Sequence, residues 1–230
     1  MKNTKAQNIR AVLFDVDGTL IDSVDQHTKA WQETFAHFNL DIPFDKIRNE
    51  IGKGSEKLIQ TLAGEEFWNK HGKEASEFRK DLFAKKYLPH LKAFPCVREL
   101  FERVRDSGRK IALATSAVGE ELETYLKLTN VKDLVQAQTS ADDVKESKPS
   151  PDIFQAALDR LKLRGDEAVV VGDTRFDAEA AIKAGATPIG VLCGGFPEEQ
   201  LRSAGCVEIY RDPADLLQRF NQSLLLPDRQ

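Results

Sequence analysis

Two carboxylates, a glycine and a hydroxyl stand together near the start of the chain, in Val12-Leu13-Phe14-Asp15-Val16-Asp17-Gly18-Thr19-Leu20. An Asp-Gly pair by itself makes an ordinary turn. Here the acids follow an uninterrupted apolar run, Ala11 to Phe14, of the kind that forms a strand buried on both faces of a parallel sheet. Asp15 and Asp17 project near one another where that strand unwinds, and bare charges about 4 Å apart repel by roughly 4 kcal/mol at an effective dielectric of about 20. A cation, or a proton on one of them, resolves the repulsion. Ligands of open α/β sheets bind beyond the carboxyl ends of the strands, so an Asp in this place faces a crevice and can act on something there.

Three later positions share that placement. Thr115-Ser116 directly follow the apolar run Ile111 to Ala114; a hydroxyl and backbone amides at a helix start suit a phosphate oxygen, and the same residues also make a helix cap. Lys148 stands in Ser147-Lys148-Pro149-Ser150-Pro151. A lone lysine is usually a solvated charge, but the proline after this one biases it away from helix, into the extended entry of the next element and toward the strand ends. Asp173 ends the strongest apolar run, Ala168 to Val171, and Gly172 lets the backbone come close. Thr174 and Asp177 have capping-box spacing, with Asp in place of Glu. Magnesium takes oxygen ligands and keeps several waters, so one or two carboxylates near Asp15 suffice to hold it.

The elements that must bring these positions together alternate. A helix over 96–106 stops at Gly108, a strand covers 110–114, a helix 119–128 and a weak strand 135–137. A helix over 151–161, with Ser150 as cap, is followed by a strand at 168–171, a helix over 176–184 closed by Gly185, and a strand at 188–192. Strands alternating with helices imply a doubly wound, Rossmann-like parallel sheet with right-handed crossovers. Between the first strand and this alternation, no strand is apparent. Ser23 with Gln26 makes a capping box, and Val24, His27, Trp31, Phe35 and Phe38 share one helical face. Further helices start at Pro43-Phe44 and Ser55, and one or two more cover 67–88, with Phe67, Trp68, Phe78, Leu82 and Phe83 on the apolar side. The expected organisation is an α/β core over 1–20 and 92–230 with an α-helical cap over 21–91, hinged at 20–22 and 91–95.

Asp15-Val16-Asp17-Gly18-Thr19, Thr115, Lys148-Pro149 and Gly172-Asp173 with Asp177 together resemble, in order and across almost the whole chain, the four motifs of the haloacid dehalogenase superfamily. The helical insert resembles the cap of the subgroup that contains phosphoglycolate phosphatases, β-phosphoglucomutases, phosphonatases and the dehalogenases. The resemblance implies that Asp15 is a nucleophile forming an aspartyl-phosphate and that Asp17 is first general acid, then base. It implies Mg²⁺ held by Asp15, the backbone carbonyl of Asp17 and Asp173, with Asp177 supporting the metal or Lys148 from behind. Thr115 and Lys148 would bind the phosphoryl group, together with Gly18, Thr19 and Ser116. This division suits phosphoryl transfer, which asks a protein mainly for positioning and charge stabilisation. Asp17, held near Asp15, is expected to have its pKa tuned for the two roles.

Asp17 favours phosphate over halide, because the dehalogenase branch typically has no carboxylate there. A phosphonatase would need a Schiff-base lysine in the cap, and Lys53, Lys57, Lys85 and Lys86 read as solvated helix lysines. The phosphomutase alternative rests on His27, where β-phosphoglucomutases also carry a cap histidine, although His27 equally fits an apolar helical stripe. Against it, Ile51-Gly52-Lys53-Gly54-Ser55 lacks the arginine expected after the cap glycine, and Thr19 follows the phosphatase pattern. That loop is no nucleotide-binding P-loop, for no strand precedes it and the Gly-x-x-x-x-Gly-Lys spacing is absent. Lys53 is the first specificity candidate, for an anionic or polyhydroxyl small phosphorylated metabolite. A non-catalytic sensor of such a metabolite would be expected to have lost Asp15 or Asp173, and both are present.

The 230 residues, 41% apolar and 30% charged, can bury a large core, and a net charge of −4 without a basic stripe makes a nucleic-acid backbone a poor candidate partner. Cys96, Cys193 and Cys206 form no Cys-x-x-Cys pair, which argues against a disulfide framework or zinc knuckle and for reduced thiols. The polar stretch from Met1 to Arg10 does not resemble a signal peptide, and no segment is long and apolar enough to span a bilayer. A soluble, unprocessed cytoplasmic protein, monomeric or weakly self-associating, is the expectation.

Overall fold

The computed structural model of the chain describes residues 9–226. The polar stretch 1–8 and the last four residues, assigned to the core by sequence, lie outside the described residues. Strands β1 (Ala11–Phe14), β2 (Lys110–Ala114), β3 (Ala137–Thr139), β4 (Ala168–Gly172), β5 (Thr187–Val191) and β6 (Glu208–Tyr210) form one sheet in the order β3-β2-β1-β4-β5-β6. Every pair is parallel. The strand order reverses direction at β1, which lies between β2 and β4, so its carboxyl end is the topological switch point where such sheets bind ligands. Register makes this concrete: Phe14 is opposite both Leu113 and Val171, and the Asp15 amide donates to the Val171 carbonyl at 2.9 Å. The residues that follow β1, β2 and β4 therefore emerge level with one another.

Successive side chains of β1 face opposite layers, as a pleat requires. Val12 and Phe14 join the larger apolar cluster, where Phe14 stacks on Phe101 with centroids 4.5 Å apart. Ala11 and Leu13 join the other, with Phe154, Leu158 and Ala181. The covering helices are α5 (Val97–Asp106), α6 (Glu120–Thr129), α7 (Asp152–Leu161), α8 (Arg175–Lys183), α9 (Glu198–Ser203) and α10 (Pro213–Gln218). They are numbered after four helices inserted behind β1, namely α1 (Val24–His37), α2 (Phe44–Arg48), α3 (Ser55–Ala63) and α4 (Glu65–Lys86).

The inserted helices have a core of their own, in which Val24, Trp31, Phe35, Ile47, Leu58, Ile59 and Ala75 are buried. Phe196, which follows β5, plugs into that cluster from the sheet side. The two chain crossings run side by side: Asp22 donates to Lys92 at 2.9 Å, and Phe94 donates to Leu20 at 2.9 Å. A second seam lies at the loop before α3. A Cβ on Gly52 would come within 2.9 Å of Thr174 Cγ2, and one on Gly54 within 2.5 Å of Ser147 Cβ. Only glycine lets the cap loop lie this close to the strand ends.

Several expectations change. The third strand lies at Ala137–Thr139, because its pairing of Thr139 with Ala114 rather than its apolar content sets the register. The sixth strand, Glu208–Tyr210, was not read from the sequence, being three residues long and opened by a glutamate. Ser23 precedes α1 without capping it; its hydroxyl donates to Asp17 instead. Ser150 likewise does not cap α7, but donates to Asp152 at 2.6 Å. The segment 67–88 is one long helix, α4, followed by a 3-10 turn over Leu88–His90. Among the described residues no helix is long and apolar enough to cross a membrane, and the three cysteines are free thiols.

Candidate active site

Asp15, at the end of β1, is buried and meets Lys148 Nζ through Oδ1 at 2.5 Å. Lys148 arrives on the segment before α7 and also pairs with Asp177 Oδ1 at 2.7 Å. Asp173 leaves the end of β4 fully buried, and Thr19 Oγ1 lies 3.3 Å from both Asp15 Oδ2 and Asp173 Oδ1. Asp177 closes a capping box at the start of α8 by accepting from the Thr174 amide at 3.1 Å. One of its oxygens thus finishes a helix while the other faces Lys148.

Carboxylate oxygens of Asp15, Asp173 and Asp177 lie within 4.8 Å of one another. Three buried acids face one buried ammonium, and burying unbalanced charge is expensive. Burial, with the charges of Asp177 and Asp17, pushes the Asp15 carboxyl up to about 7 against the pull of Lys148. Burial and the neighbouring Asp177 and Asp15 hold Asp173 well above the usual carboxylate range. Burial opposes the charge on Lys148, but Asp15 and Asp177 outweigh it and keep the ammonium firmly protonated.

Asp173 Oδ2 is buried without a hydrogen-bond partner. A Cβ on Gly18 would land 2.2 Å from this oxygen and one on Gly194 1.8 Å from it. Gly18 sits at φ +76, in the left-handed region. The orphaned oxygen is therefore walled by glycine backbone within an all-oxygen, net-negative group, a donor set that fits a hard divalent cation such as Mg²⁺.

Asp17, two residues on, has the opposite surroundings. Its Oδ1 accepts from Ser23 Oγ at 2.7 Å, His27 Nε2 at 2.7 Å and Tyr125 OH at 2.7 Å. An arginine nitrogen can only donate, so the contact from Arg79 Nη2 makes His27 Nδ1 an acceptor. Nε2 then carries the imidazole proton, and it points at Asp17. Burial raises the Asp17 carboxyl, but its contacts with His27, Ser23 and Tyr125 outweigh it and hold Asp17 below the usual range. The tuning expected from sequence thus runs downward, because Asp17 turns to donors rather than toward Asp15.

The other expected residues divide. Thr115 is buried, and its hydroxyl accepts from the Ala117 amide at 3.0 Å, shaping the turn. Ser116 is exposed and lines the same pocket as Asp15, Asp17, His27 and Lys148. Lys53 lines it too, but its ammonium is already engaged by Glu50 and by Thr61 at 3.2 Å, over the ring of Phe176. The pocket offers about 80 Å³ beneath the cap.

Arg79, Glu121 and Tyr125 were not foreseen. Arg79 breaks an otherwise apolar stripe of α4, four residues after buried Ala75 and four before buried Phe83, and that interruption was the available signal. Its guanidinium lies over Phe83 at 4.8 Å and Trp31 at 5.7 Å, and its Nε is buried without a partner. Tyr125 and Glu121 lie on α6, where Tyr125 OH is also 3.0 Å from Glu121 Oε1. An aromatic and an acid four residues apart are ordinary in a helix, so nothing marked them.

This geometry, acids at the switch point of a parallel sheet under a helical cap, defines a class of hydrolases built around an aspartate at the end of the first strand. The model of the haloacid dehalogenase-like hydrolases matches residues 12–191. The chain belongs to that family. Among its relatives, a phosphorylated carbohydrates phosphatase from Thermotoga maritima is 28% identical over 94% of this chain and 100% of its own length. A phosphoglycolate phosphatase from Aquifex aeolicus is 28% identical over 81% of this chain and 86% of its own. The crystal structure of a hydrolase from Pseudomonas syringae superposes with a TM-score of 0.86 at 30% identity, covering 93% of this chain and 98% of the other.

Proposed function

We propose that the protein is a Mg²⁺-dependent phosphatase that hydrolyses a small phosphorylated metabolite through an aspartyl-phosphate on Asp15. The observation that carries this reading is the convergence of Asp15, Lys148, Asp173 and Asp177 around one orphaned carboxylate oxygen. Asp15 and Asp173 would hold the cation, with the backbone carbonyl of Asp17 as a further oxygen and Asp177 supporting the group from behind through Lys148. When bound, Mg²⁺ supplies positive charge against the oxygens of the phosphoryl group.

Lys148 orients the Asp15 carboxylate and neutralises part of the phosphate charge. An Asp15 oxygen attacks phosphorus, the ester P–O bond breaks, and the leaving oxygen takes a proton from Asp17. Asp17, now a carboxylate, removes a proton from water. The water oxygen attacks the same phosphorus, freeing Asp15 and inorganic phosphate. Its hydrogen-bond donors hold Asp17 as a carboxylate, and it must be protonated for the first half of the cycle. An arriving phosphate dianion raises its pKa and promotes that protonation. The cap excludes water from the first half and admits it for the second.

Arg79, rather than Lys53, is the better specificity cation. Lys53 is paired with Glu50, Lys57 with Glu146 and Arg48 with Asp25, whereas Arg79 has no carboxylate partner among the described residues. Its polar partner among the described residues is His27 Nδ1, not a carboxylate. A carboxylate on a short substrate, as in phosphoglycolate, would complete it. The test is a panel of phosphoglycolate, sugar phosphates, nucleoside monophosphates and β-glucose 1-phosphate, with p-nitrophenyl phosphate as reference, scored for free phosphate and isomerised product. Mg²⁺-dependent phosphate release is expected, while isomerised product without phosphate would make the chain a mutase. No turnover of any member would leave a binding module.

A further inference from the structure

We propose that Tyr125 is a positioning residue for Asp17: its hydroxyl, delivered by the core helix α6, fixes the orientation of the carboxylate that serves as acid and base. The inference rests on that role for Asp17. Its basis is how one oxygen is shared. Asp17 Oδ1 accepts three hydrogen bonds, all at 2.7 Å, while Oδ2 has no hydrogen-bond partner among the described residues. A carboxylate oxygen offers about two lone-pair directions, so Oδ1 is fully occupied and Oδ2 is the oxygen left to meet a leaving group or a water. Asp17 itself lines the pocket.

The three donors are not equivalent. Ser23 and His27 follow the first chain crossing and belong to the cap side, with His27 on α1. Tyr125 comes from the domain that carries Asp15 and Asp17, and is almost fully buried within the core cluster. A movement of the inserted helices about their two chain crossings would change the first two contacts and leave the third in place. Tyr125 therefore keeps Oδ2 aimed through both halves of the cycle, including the half in which the cap admits water.

Tyr125 has one hydroxyl proton and two carboxylates within reach, Asp17 at 2.7 Å and Glu121 at 3.0 Å. The shorter contact assigns the proton to Asp17. Glu121 lies beyond it, with an oxygen 3.8 Å from His27 Nε2. No other donor of the described core domain reaches Asp17.

The test is Tyr125→Phe, which keeps the buried ring and removes only the hydroxyl, assayed with Mg²⁺ on an alkyl phosphate and on p-nitrophenyl phosphate. An alkoxide needs its proton in the first step, whereas p-nitrophenolate leaves without one. The expected result is a loss of roughly tenfold in kcat/KM for the alkyl ester, the worth of one hydrogen bond to a charged group. The aryl ester should change by less than about twofold, and its turnover also reports that the variant is folded. In an Asp17→Asn background the same change should cost nothing further on either ester, because residues acting through one group are not additive. Equal losses on both esters, no loss on either, or a full additional loss in the Asp17→Asn background would overturn the proposal. If Asp17→Asn alone left alkyl turnover intact, the acid–base assignment itself would fall, an outcome separate from failure of Tyr125.

Discussion

Two carboxylates two residues apart in sequence occupy opposite kinds of surroundings. Asp15 lies among acids, with Asp173 and Asp177 within 4.8 Å and a single ammonium to offset them. Asp17 lies among donors, with Ser23, His27 and Tyr125 all on one oxygen. The same residue type is pushed up to about 7 in the first place and below its usual range in the second. The contrast separates an acid whose neighbours call for a cation from an acid whose neighbours hold it in a set orientation. Pairs of titratable groups driven apart in this way mark a division of catalytic labour.

The sharpest way to break the contrast is at Asp15. Asp15→Asn removes the nucleophile and should lower turnover of p-nitrophenyl phosphate by on the order of 10⁴-fold or more. Residual activity near the wild type would place the covalent step elsewhere. Asp17→Asn should slow alkyl phosphate turnover by roughly 10²- to 10⁴-fold, the range for a lost general acid or base. Near-normal turnover of that variant would remove Asp17 from the mechanism.

The third prediction tests the acid-rich side by pH. Burial raises the folded-state pKa of Asp15 above the ordinary carboxyl value of 3.8, so between the two values the folded chain binds more protons than the unfolded one. Stability of the metal-free protein therefore falls as pH climbs from about 4 through about 7, and it does not recover above that range. Melting in EDTA should be lower at pH 8 than at pH 5 by several degrees, on the order of 5 °C. Mg²⁺ should abolish most of that difference. A melting temperature in EDTA that rises with pH would contradict the charge balance described here.

The smallest effect concerns the cap. Arg79→Met should raise KM for phosphoglycolate by roughly 10-fold, the worth of a charge-assisted hydrogen bond, and leave KM for a neutral short ester within about twofold. An equal change for both esters would mean that Arg79 only packs.

The motif residues were legible because each follows an apolar strand run, and a parallel sheet brings such ends to one rim whatever the helices do. Asp15, Lys148, Asp173 and Asp177 meet as the alternation implied. Legibility failed where a helix carries the contact. Arg79 and Tyr125 act through side chains on α4 and α6 whose partners lie 52, 98 or 108 positions away in the chain, and local pattern does not encode such meetings. Ser23 was misread for the same reason, since a serine before a helix can cap it or turn away, and here Asp17 offers the stronger acceptor. The short strand Glu208–Tyr210 escaped because its identity comes from pairing with β5 rather than from its own composition.

Phe196 gives the cap movement a thermodynamic weight. Its ring belongs to the sheet side of the chain but is buried in the oily interior of the inserted helices. A swing of the inserted helices away from the sheet would return that ring to water, a penalty of about 1.5–3 kcal/mol for a large apolar side chain. By this contact alone the shut posture is favoured roughly ten- to a hundredfold.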